Sequence, residues 1–303
     1  MSMRSALLKI LRYLTRRLAK GEMQGARAYS EARQVRGVIR STLTHDMAAD
    51  ADEDYYRAQY WLWIQRGLAD ACMNDTSGRM LDLGCGQGRL TTLLAGRFPG
   101  AQIIGIDLSG AAIERARDSA KAHGLANVAY KSASIESSLA DCANASVELV
   151  LFCEVTFFFP AWRAALDQVA RVLRPGGLMC VAFRPQYFDA LRLAQLRLFE
   201  NTALLLEQHN GYLFGDDIVF TWQSSAEIRN LIERELHMQL LHLVGIGCCS
   251  GIAGDPHELI ARPSRLAQRD RDDLMRIELA LGPQLPDTGR YMLAIAQKPR
   301  ETA

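Results

Sequence analysis

A glycine-rich turn is the part of this sequence whose residues could do the most specific chemistry. The apolar run Met80–Leu83 is followed by Gly84, Gly86 and Gly88. Glycines let a ligand approach the backbone closely, because no Cβ is in the way. A dinucleotide site needs its third glycine three residues after the second, and that position holds Arg89. The turn therefore indicates a nucleoside site of another kind.

Two acids determine the charge of the ligand that this turn could accept. Asp82 lies two residues before Gly84, where a carboxylate would repel a diphosphate and attract a cationic amine. Asp107 ends the next apolar run, Ile103–Ile106, about where an acid accepts both hydroxyls of a ribose. S-adenosylmethionine has a free ribose, an ammonium group and a sulfonium, and it carries no phosphate. The residues therefore predict S-adenosylmethionine as the cofactor.

The elements that would position these residues are apolar runs that alternate with helix-like stretches. Strands buried on both faces of a parallel sheet have such continuous apolar sequences. The runs are 80–83, 103–106, 147–152 and 178–183, and the helical stretches between them are 89–97, 110–123 and 161–173. The alternation predicts an α/β fold with a doubly wound sheet. Residues 184–222 are too long for a simple connection and predict an inserted, partly helical lid.

The first fifty residues differ from the rest of the chain and predict a basic amphipathic helical extension. Leucines occupy one face of the predicted helix and basic side chains the other: Leu7, Leu11, Leu14 and Leu18 against Lys9, Arg12, Arg16 and Lys20. We favour docking of this helix, within residues 1–20, on the rest of the protein or on a second subunit. An anionic lipid surface and a nucleic acid are the alternatives.

The composition excludes a disordered, collagen-like or coiled-coil protein. The chain has 303 residues, 49% of them hydrophobic and 23% charged, which is typical of a globular protein. A net charge of +1 gives no overall field that would attract nucleic acid or a membrane. The cysteines and histidines show no spacing typical of disulfide frameworks or metal sites, so we predict no metal. No apolar run could cross a bilayer, and Lys9 and Arg12 interrupt any signal peptide, so we expect a cytoplasmic protein.

Four segments together resemble the class I (Rossmann-like) S-adenosylmethionine-dependent methyltransferases, in their small-molecule branch. They are Asp82-Leu-Gly-Cys-Gly-Gln-Gly88, Gly105-Ile-Asp107-Leu-Ser109, Phe152-Cys-Glu154-Val155 and Leu173-Arg-Pro-Gly-Gly177. The resemblance implies a seven-stranded, mostly parallel sheet with helices on both faces. It also implies that the last strand, 291–296, runs antiparallel beside strand 240–246. The implied domains are a helical cap over the cofactor at 51–78 and the cofactor-binding domain at 79–299.

The resemblance also implies the residues that bind the cofactor. Gly84 and Gly86 would pack against its methionine part, Asp107 would hold the ribose, and Leu108 would flank the adenine. An aspartate that binds the adenine amino group in many relatives is replaced here by Ser134. A cap-helix tyrosine would lie near the methionine end. The implied cofactor residues are Asp82, Gly84, Cys85, Gly86, Asp107, Leu108, Ser134, Ile135, Cys153 and Tyr56.

Methyl transfer from a sulfonium is an in-line displacement with a neutral leaving group, so the protein mainly has to align the reactants. The segment after the fourth strand, 153–160, is the predicted acceptor site. Many relatives have a histidine at the position of Phe158, and its absence removes that base. The candidate bases are Glu154, His45 and His209, and the predicted substrate pocket comprises Phe157, Phe158, Arg184, Tyr187 and Tyr60.

These observations predict a methyltransferase that acts on a small, aromatic or partly apolar acceptor, with oxygen as the preferred acceptor atom. The alternatives are an N-methyltransferase, an RNA-directed methyltransferase and a non-catalytic protein that binds S-adenosylmethionine. Cys153-Glu-Val-Thr156 matches neither the adenine-modifying nor the cytosine C5 motif. Charges beyond residue 40 are mixed, whereas base extrusion would need a broad basic surface, so a nucleic acid substrate is disfavoured.

Overall fold

The computed structural model of the protein describes residues 50–212, 218–252 and 254–300. The predicted N-terminal helical extension and the candidate base His45 lie outside these residues. Among the residues described, no helix combines the length and apolar content that a membrane crossing requires.

The described residues form a central seven-stranded sheet and a separate two-stranded sheet. The strands are β1 (Arg79–Leu83), β2 (Gln102–Asp107), β3 (Val128–Ser132), β4 (Val147–Phe152), β5 (Leu173–Phe183), β6 (Asn210–Tyr212), β7 (Val219–Thr221), β8 (Gln239–Ile246) and β9 (Tyr291–Gln297). The order in the large sheet is β3-β2-β1-β4-β5-β9-β8. Within this sheet β9 runs antiparallel to both β5 and β8, and the other adjacent strands are parallel to each other. The predicted fold class and the predicted antiparallel last strand are confirmed.

Helices cover both faces of the large sheet because its strands are apolar on both faces. The helices are α1 (Ala51–Asp70), α2 (Arg89–Arg97), α3 (Gly110–Ala122), α4 (Ile135–Ala140), α5 (Trp162–Val172), α6 (Gln186–Gln195), α7 (Phe199–Glu207), α8 (Ser225–Asn230) and α9 (Gln268–Leu281). Successive residues of β1 belong to different core clusters: Met80 packs with residues of α1 and α2, and Leu81 packs with residues of α5. The sheet therefore separates two apolar layers.

The segment predicted as a lid contains both helices and strands. Helices α6 and α7 are followed by an antiparallel pair, β6 and β7, which the sequence analysis does not predict. Each of these strands has three residues, which is too short for an alternating pattern to be recognised.

Helix α1 is fixed to the C-terminal part of the chain by buried polar contacts. Its amino end is capped by Asp50, whose carboxylate accepts hydrogen bonds from the first-turn amides. The Tyr55 hydroxyl donates to the Glu278 carboxylate at 2.8 Å. The Gly247 amide donates to the side-chain oxygen of Gln59 at 2.9 Å. These contacts hold α1 over the carboxyl ends of the strands.

Candidate active site

A cavity of about 210 Å³ opens at the carboxyl ends of β1, β2 and β4. Strand β1 lies between β2 and β4, so the order of the strands reverses direction at β1. In open α/β sheets, ligands bind at the carboxyl ends of the strands where this reversal occurs. The lining residues are Arg57, Tyr60, Asp82, Gly84, Cys85, Gly86, Gln87, Arg89, Leu90, Asp107, Leu108, Ala112, Ile135, Cys153, Glu154, Val155 and Phe158.

The glycine turn forms the floor of the cavity, and two of its glycines are needed for different reasons. Both Gly84 and Gly86 have left-handed backbone conformations, with φ of +73° and +52°. A Cβ on Gly84 would lie 2.1 Å from the Cγ2 atom of Val155, so this glycine allows the turn to pack on the segment after β4. A Cβ on Gly86 would meet no atom within 4 Å, because the residue borders the cavity. Gly86 therefore keeps space open for a ligand.

Asp107 is held in one orientation by backbone amides. Its Oδ2 atom accepts a hydrogen bond from Gly86 N at 2.9 Å, and its Oδ1 atom accepts one from Ser109 N at 2.8 Å. Burial raises the pKa of Asp107, and these two hydrogen bonds oppose that rise. Each carboxylate oxygen can accept a second hydrogen bond. The carboxylate is thus prepared to accept two hydroxyl groups from a ligand in the cavity.

Asp82 is a buried acid at the end of the cavity nearest the sheet. Its Oδ2 atom accepts a hydrogen bond from the Thr91 hydroxyl at 2.6 Å. Burial raises the pKa of Asp82 to about 7, and the Thr91 hydrogen bond opposes the rise. The charged form of Asp82 is therefore destabilised unless a cationic ligand group lies nearby.

Replacing Asp82 with asparagine is expected to stabilise the protein more at pH 8 than at pH 4. The raised pKa of the folded state means that ionisation of Asp82 lowers the free energy of unfolding as pH rises from 3.8 to about 7. The free energy of unfolding should fall by on the order of 1 kcal/mol per pH unit in this range, and the asparagine variant should not show this fall. Thermal unfolding of both proteins across this range tests the prediction. A difference in melting temperature that does not change with pH would contradict it.

Glu154 also lines the cavity, directly after β4. It has a left-handed backbone conformation with φ of +60°, which is uncommon for a residue with a side chain. Tyr291 donates a hydrogen bond to its carboxylate. Burial and the charge of Glu53 raise the pKa of Glu154 to about 7, and Arg89 and Arg290 oppose that rise. Of the two candidate bases that the structure describes, Glu154 lines the cavity and His209 does not.

Glu53 of helix α1 connects Glu154 to two arginines. The Glu53 carboxylate lies 3.6 Å from Arg89 Nη1 and 3.7 Å from Arg290 Nη2. Arg89 also donates a hydrogen bond to the Glu53 carbonyl at 2.5 Å. Arg290 forms a second ion pair with Asp255. Glu53 and Glu154 are therefore a pair of neighbouring acids, and Arg89 and Arg290 provide positive charge beside them.

Most of the predicted cofactor residues come together in the cavity. Those that line it are Asp82, Gly84, Cys85, Gly86, Asp107, Leu108, Ile135 and Cys153. Ser134 does not line it, and its hydroxyl instead caps α4 by accepting from Ser137 N. Tyr56 also lies outside, because it is buried between Ser250 and Arg290. Tyr60, one helical turn later, takes the place in the cavity wall that was predicted for Tyr56.

The predicted substrate-pocket residues are divided between the cavity and its surroundings. Phe158 and Tyr60 line the cavity. Phe157 stacks on Tyr291 with ring centroids 5.7 Å apart, behind the wall. Arg184 forms a buried ion pair with Asp189.

Two further candidates lie apart from the cavity. Tyr187 is exposed on α6. His209 is exposed and lies 3.1 Å from the Glu227 carboxylate. Neither residue is among those that line the cavity.

Several cavity residues were not predicted from the sequence. They are Arg57, Arg89, Leu90 and Ala112. Arg57 lies three residues before Tyr60 and so shares its helical face, which is a signal that could have identified it. Arg89 is the first residue after the glycine turn, where the sequence indicates only a mismatch to a dinucleotide motif.

Comparisons with known proteins agree with this geometry. Residues 74–219 match a family described as a methyltransferase domain. The trans-aconitate 2-methyltransferase of Azoarcus sp. is 31% identical over 115 residues, which are 38% of this chain and 42% of that protein. The tRNA 5-carboxymethoxyuridine methyltransferase of Escherichia coli is 32% identical over 127 residues, 42% of this chain and 47% of that protein. The chain thus spans about half the length of the curated relatives it matches.

One solved structure has a similar fold over most of the chain. The plantazolicin methyltransferase BamL, solved in complex with a triazolic desmethylPZN analog and SAH, has a TM-score of 0.51 to this protein. The match covers 96% of this chain and 100% of that one, at 16% sequence identity. At this identity the likeness concerns the fold.

Proposed function

We propose that this chain, whose residues 74–219 match a methyltransferase domain, is a class I S-adenosylmethionine-dependent methyltransferase that transfers a methyl group to an oxygen atom of a small organic acceptor. The observation that carries the proposal is the junction of Gly86 and Asp107. The amide of Gly86 orients the Asp107 carboxylate, and the missing side chain of Gly86 leaves room for a ligand beside it.

The residues present fit S-adenosylmethionine. Asp107 would accept hydrogen bonds from the ribose hydroxyls, and Leu108 and Ile135 would flank the adenine. Asp82 would provide negative charge for the cationic part of the cofactor. When bound, S-adenosylmethionine supplies a methyl group on a positively charged sulfur that leaves as a neutral thioether.

The acceptor end of the cavity, which is lined by Tyr60, Glu154, Val155 and Phe158, favours a small, partly apolar acceptor. Val155 and Phe158 provide apolar surface there, and Tyr60 and Glu154 provide polar groups. Pockets for small molecules are commonly built in this way, with a few polar groups in an apolar lining. Aligning the acceptor with the methyl group is the main contribution that these side chains can make.

Cofactor binding tests the proposal directly. Isothermal titration calorimetry should detect binding of S-adenosylmethionine, and Asp107→Ala should weaken it by about 5- to 150-fold. The range corresponds to about 1–3 kcal/mol, as is typical of hydrogen bonds to a charged group. Asp118→Ala, on an exposed position of α3, is the matched control and should bind normally. Tighter binding of NADH or ATP than of S-adenosylmethionine would contradict the proposal.

The nature of the acceptor requires a second experiment, because one relative named above acts on tRNA. Methyl-tritiated S-adenosylmethionine should label a compound in a metabolite extract, and it should leave total RNA unlabelled. Incorporation of tritium into RNA would instead favour the RNA-directed alternative.

A further inference from the structure

Tyr60 has a buried hydroxyl group that finds no hydrogen-bond partner among the residues the structure describes. The side chain lines the cavity together with Glu154, and the residue is only 1% exposed. An unpaired buried hydroxyl is costly, so native proteins rarely contain one unless a ligand or water completes it. Burial and then the charge of Glu154 raise the pKa of Tyr60, so the phenol keeps its proton. Tyr60 is thus a hydrogen-bond donor available to a ligand in the cavity.

Charged groups cluster around Glu154. They are the carboxylates of Glu53 and Asp255 and the guanidinium groups of Arg89, of Arg290 and, beside Asp255, of Arg192. The pKa of Glu154 is raised to about 7, by burial and by Glu53. The arrangement therefore favours a carboxyl group that accepts and releases a proton near neutral pH.

The other titratable groups near Glu154 are uncharged or paired. Tyr60, Cys153 and Tyr291 are uncharged at neutral pH, because burial raises the pKa of each. Arg57 also lines the cavity, and it forms an ion pair with Asp54. Glu154 is therefore the proton acceptor that the acceptor end of the cavity presents to a ligand.

Resting on the proposed function, we propose that Glu154 is the general base of methyl transfer and that Tyr60 positions the acceptor by donating a hydrogen bond to it. The acceptor is a neutral hydroxyl compound, a phenol or an alcohol. Its oxygen forms a bond to the methyl carbon, the carbon–sulfur bond breaks with its electron pair left on sulfur, and the hydroxyl proton passes to Glu154.

A carboxylate acceptor would suit these groups poorly. It is already ionised at neutral pH, so it needs no base. Its negative charge would also lie close to the Glu154 carboxylate, which lines the same cavity, and like charges repel. Glu154 therefore selects against acceptors that ionise below neutral pH.

The chemical stability of the labelled product distinguishes the two acceptor classes without knowledge of the acceptor. The full-length enzyme is incubated with methyl-tritiated S-adenosylmethionine and a metabolite extract, and the products are then treated with mild alkali. A methyl ether keeps its tritium, whereas a methyl ester releases it as volatile methanol. We expect the tritium to stay in the product, and we expect the rate to rise through pH 7 to a plateau.

Two variants test the roles of the residues. Glu154→Gln should lower the rate at pH 8 by at least about 100-fold, as is typical for loss of a general base, and should remove the rise near pH 7. Tyr60→Phe should lower the rate by about 10-fold and keep the pH profile, because it removes only a positioning hydrogen bond. Glu136→Gln, at an exposed position of α4, is the control and should match the natural protein. Calorimetry with S-adenosylmethionine shows that each variant is folded.

The outcomes separate this inference from the proposed function. Release of tritiated methanol, or an unchanged rate and pH profile in Glu154→Gln, would overturn the inference and leave the methyltransferase assignment intact. Failure of the natural protein to bind S-adenosylmethionine would instead overturn the proposed function.

Discussion

Replacing Gly86 with leucine is expected to abolish binding of S-adenosylmethionine while the protein stays folded. The new side chain would project into the cavity, where a Cβ meets no protein atom within 4 Å. It would fill the space next to Asp107 that the ribose needs. Calorimetry should show at least about a 100-fold loss of affinity, since a steric clash in the ligand site removes several contacts at once.

The left-handed conformation of Gly86 requires a matched control. Gly124 has a similar φ of +66° and also has open space where a Cβ would lie, but it is not among the cavity residues. Gly124→Leu carries the same kind of backbone strain, about 1–2 kcal/mol, without blocking the cavity. Normal binding by Gly86→Leu, or equal loss of binding in both variants, would contradict the assignment of Gly86 to the cofactor site.

Replacing Glu278 with alanine is expected to lower the free energy of unfolding by about 3 kcal/mol or more. Glu278 is fully buried, and its Oε1 atom accepts hydrogen bonds from Cys249 N at 2.7 Å and Ser250 N at 2.9 Å. Its Oε2 atom accepts from the Tyr55 hydroxyl and from Gln59. Alanine would leave these buried donors without an acceptor. Urea denaturation measures the change.

A smaller substitution at the same position controls for this interpretation. Glu278→Gln keeps one side-chain oxygen for the loop amides, so it should destabilise the protein less than alanine does. Tyr55→Phe, which removes a single donor, should cost about 1 kcal/mol. A loss below about 1 kcal/mol for Glu278→Ala would show that the donors find other partners, in which case this carboxylate does not fix α1.

The order of the elements could be predicted because each signal was local. Continuous apolar runs such as Val147–Phe152 marked buried strands, and the glycine turn marked the end of β1. Asp107, the acid at the end of β2 that the sequence predicts to bind the cofactor, lines the cavity, because its position depends on a short segment. The antiparallel direction of β9 came from the family resemblance, since an apolar run carries no information about strand direction.

The charged partners of Glu154 could not be predicted, because they come from residues far apart in the sequence. Glu53 meets Arg290 through the approach of α1 to the start of β9. Tyr56 and Tyr60 share a helical face, so their spacing alone did not show which one borders the cavity. The packing of the Gly247 loop against α1 decides this, because a Cβ on Gly247 would lie 2.8 Å from the Tyr56 ring.

The polar contacts that hold α1 in place also have a consequence for the order in which the protein can be assembled. The partners of Tyr55 and Gln59 lie 223 and 188 residues later in the chain. During translation these partners leave the ribosome long after the glycine turn has emerged, and native contacts between such distant segments form slowly. In nascent chains stalled before residue 247, the strands that form the nucleoside site should therefore lack helix α1 in its final position. Retention of nascent chains on immobilised S-adenosylhomocysteine should begin only once the Glu278 region has been synthesised.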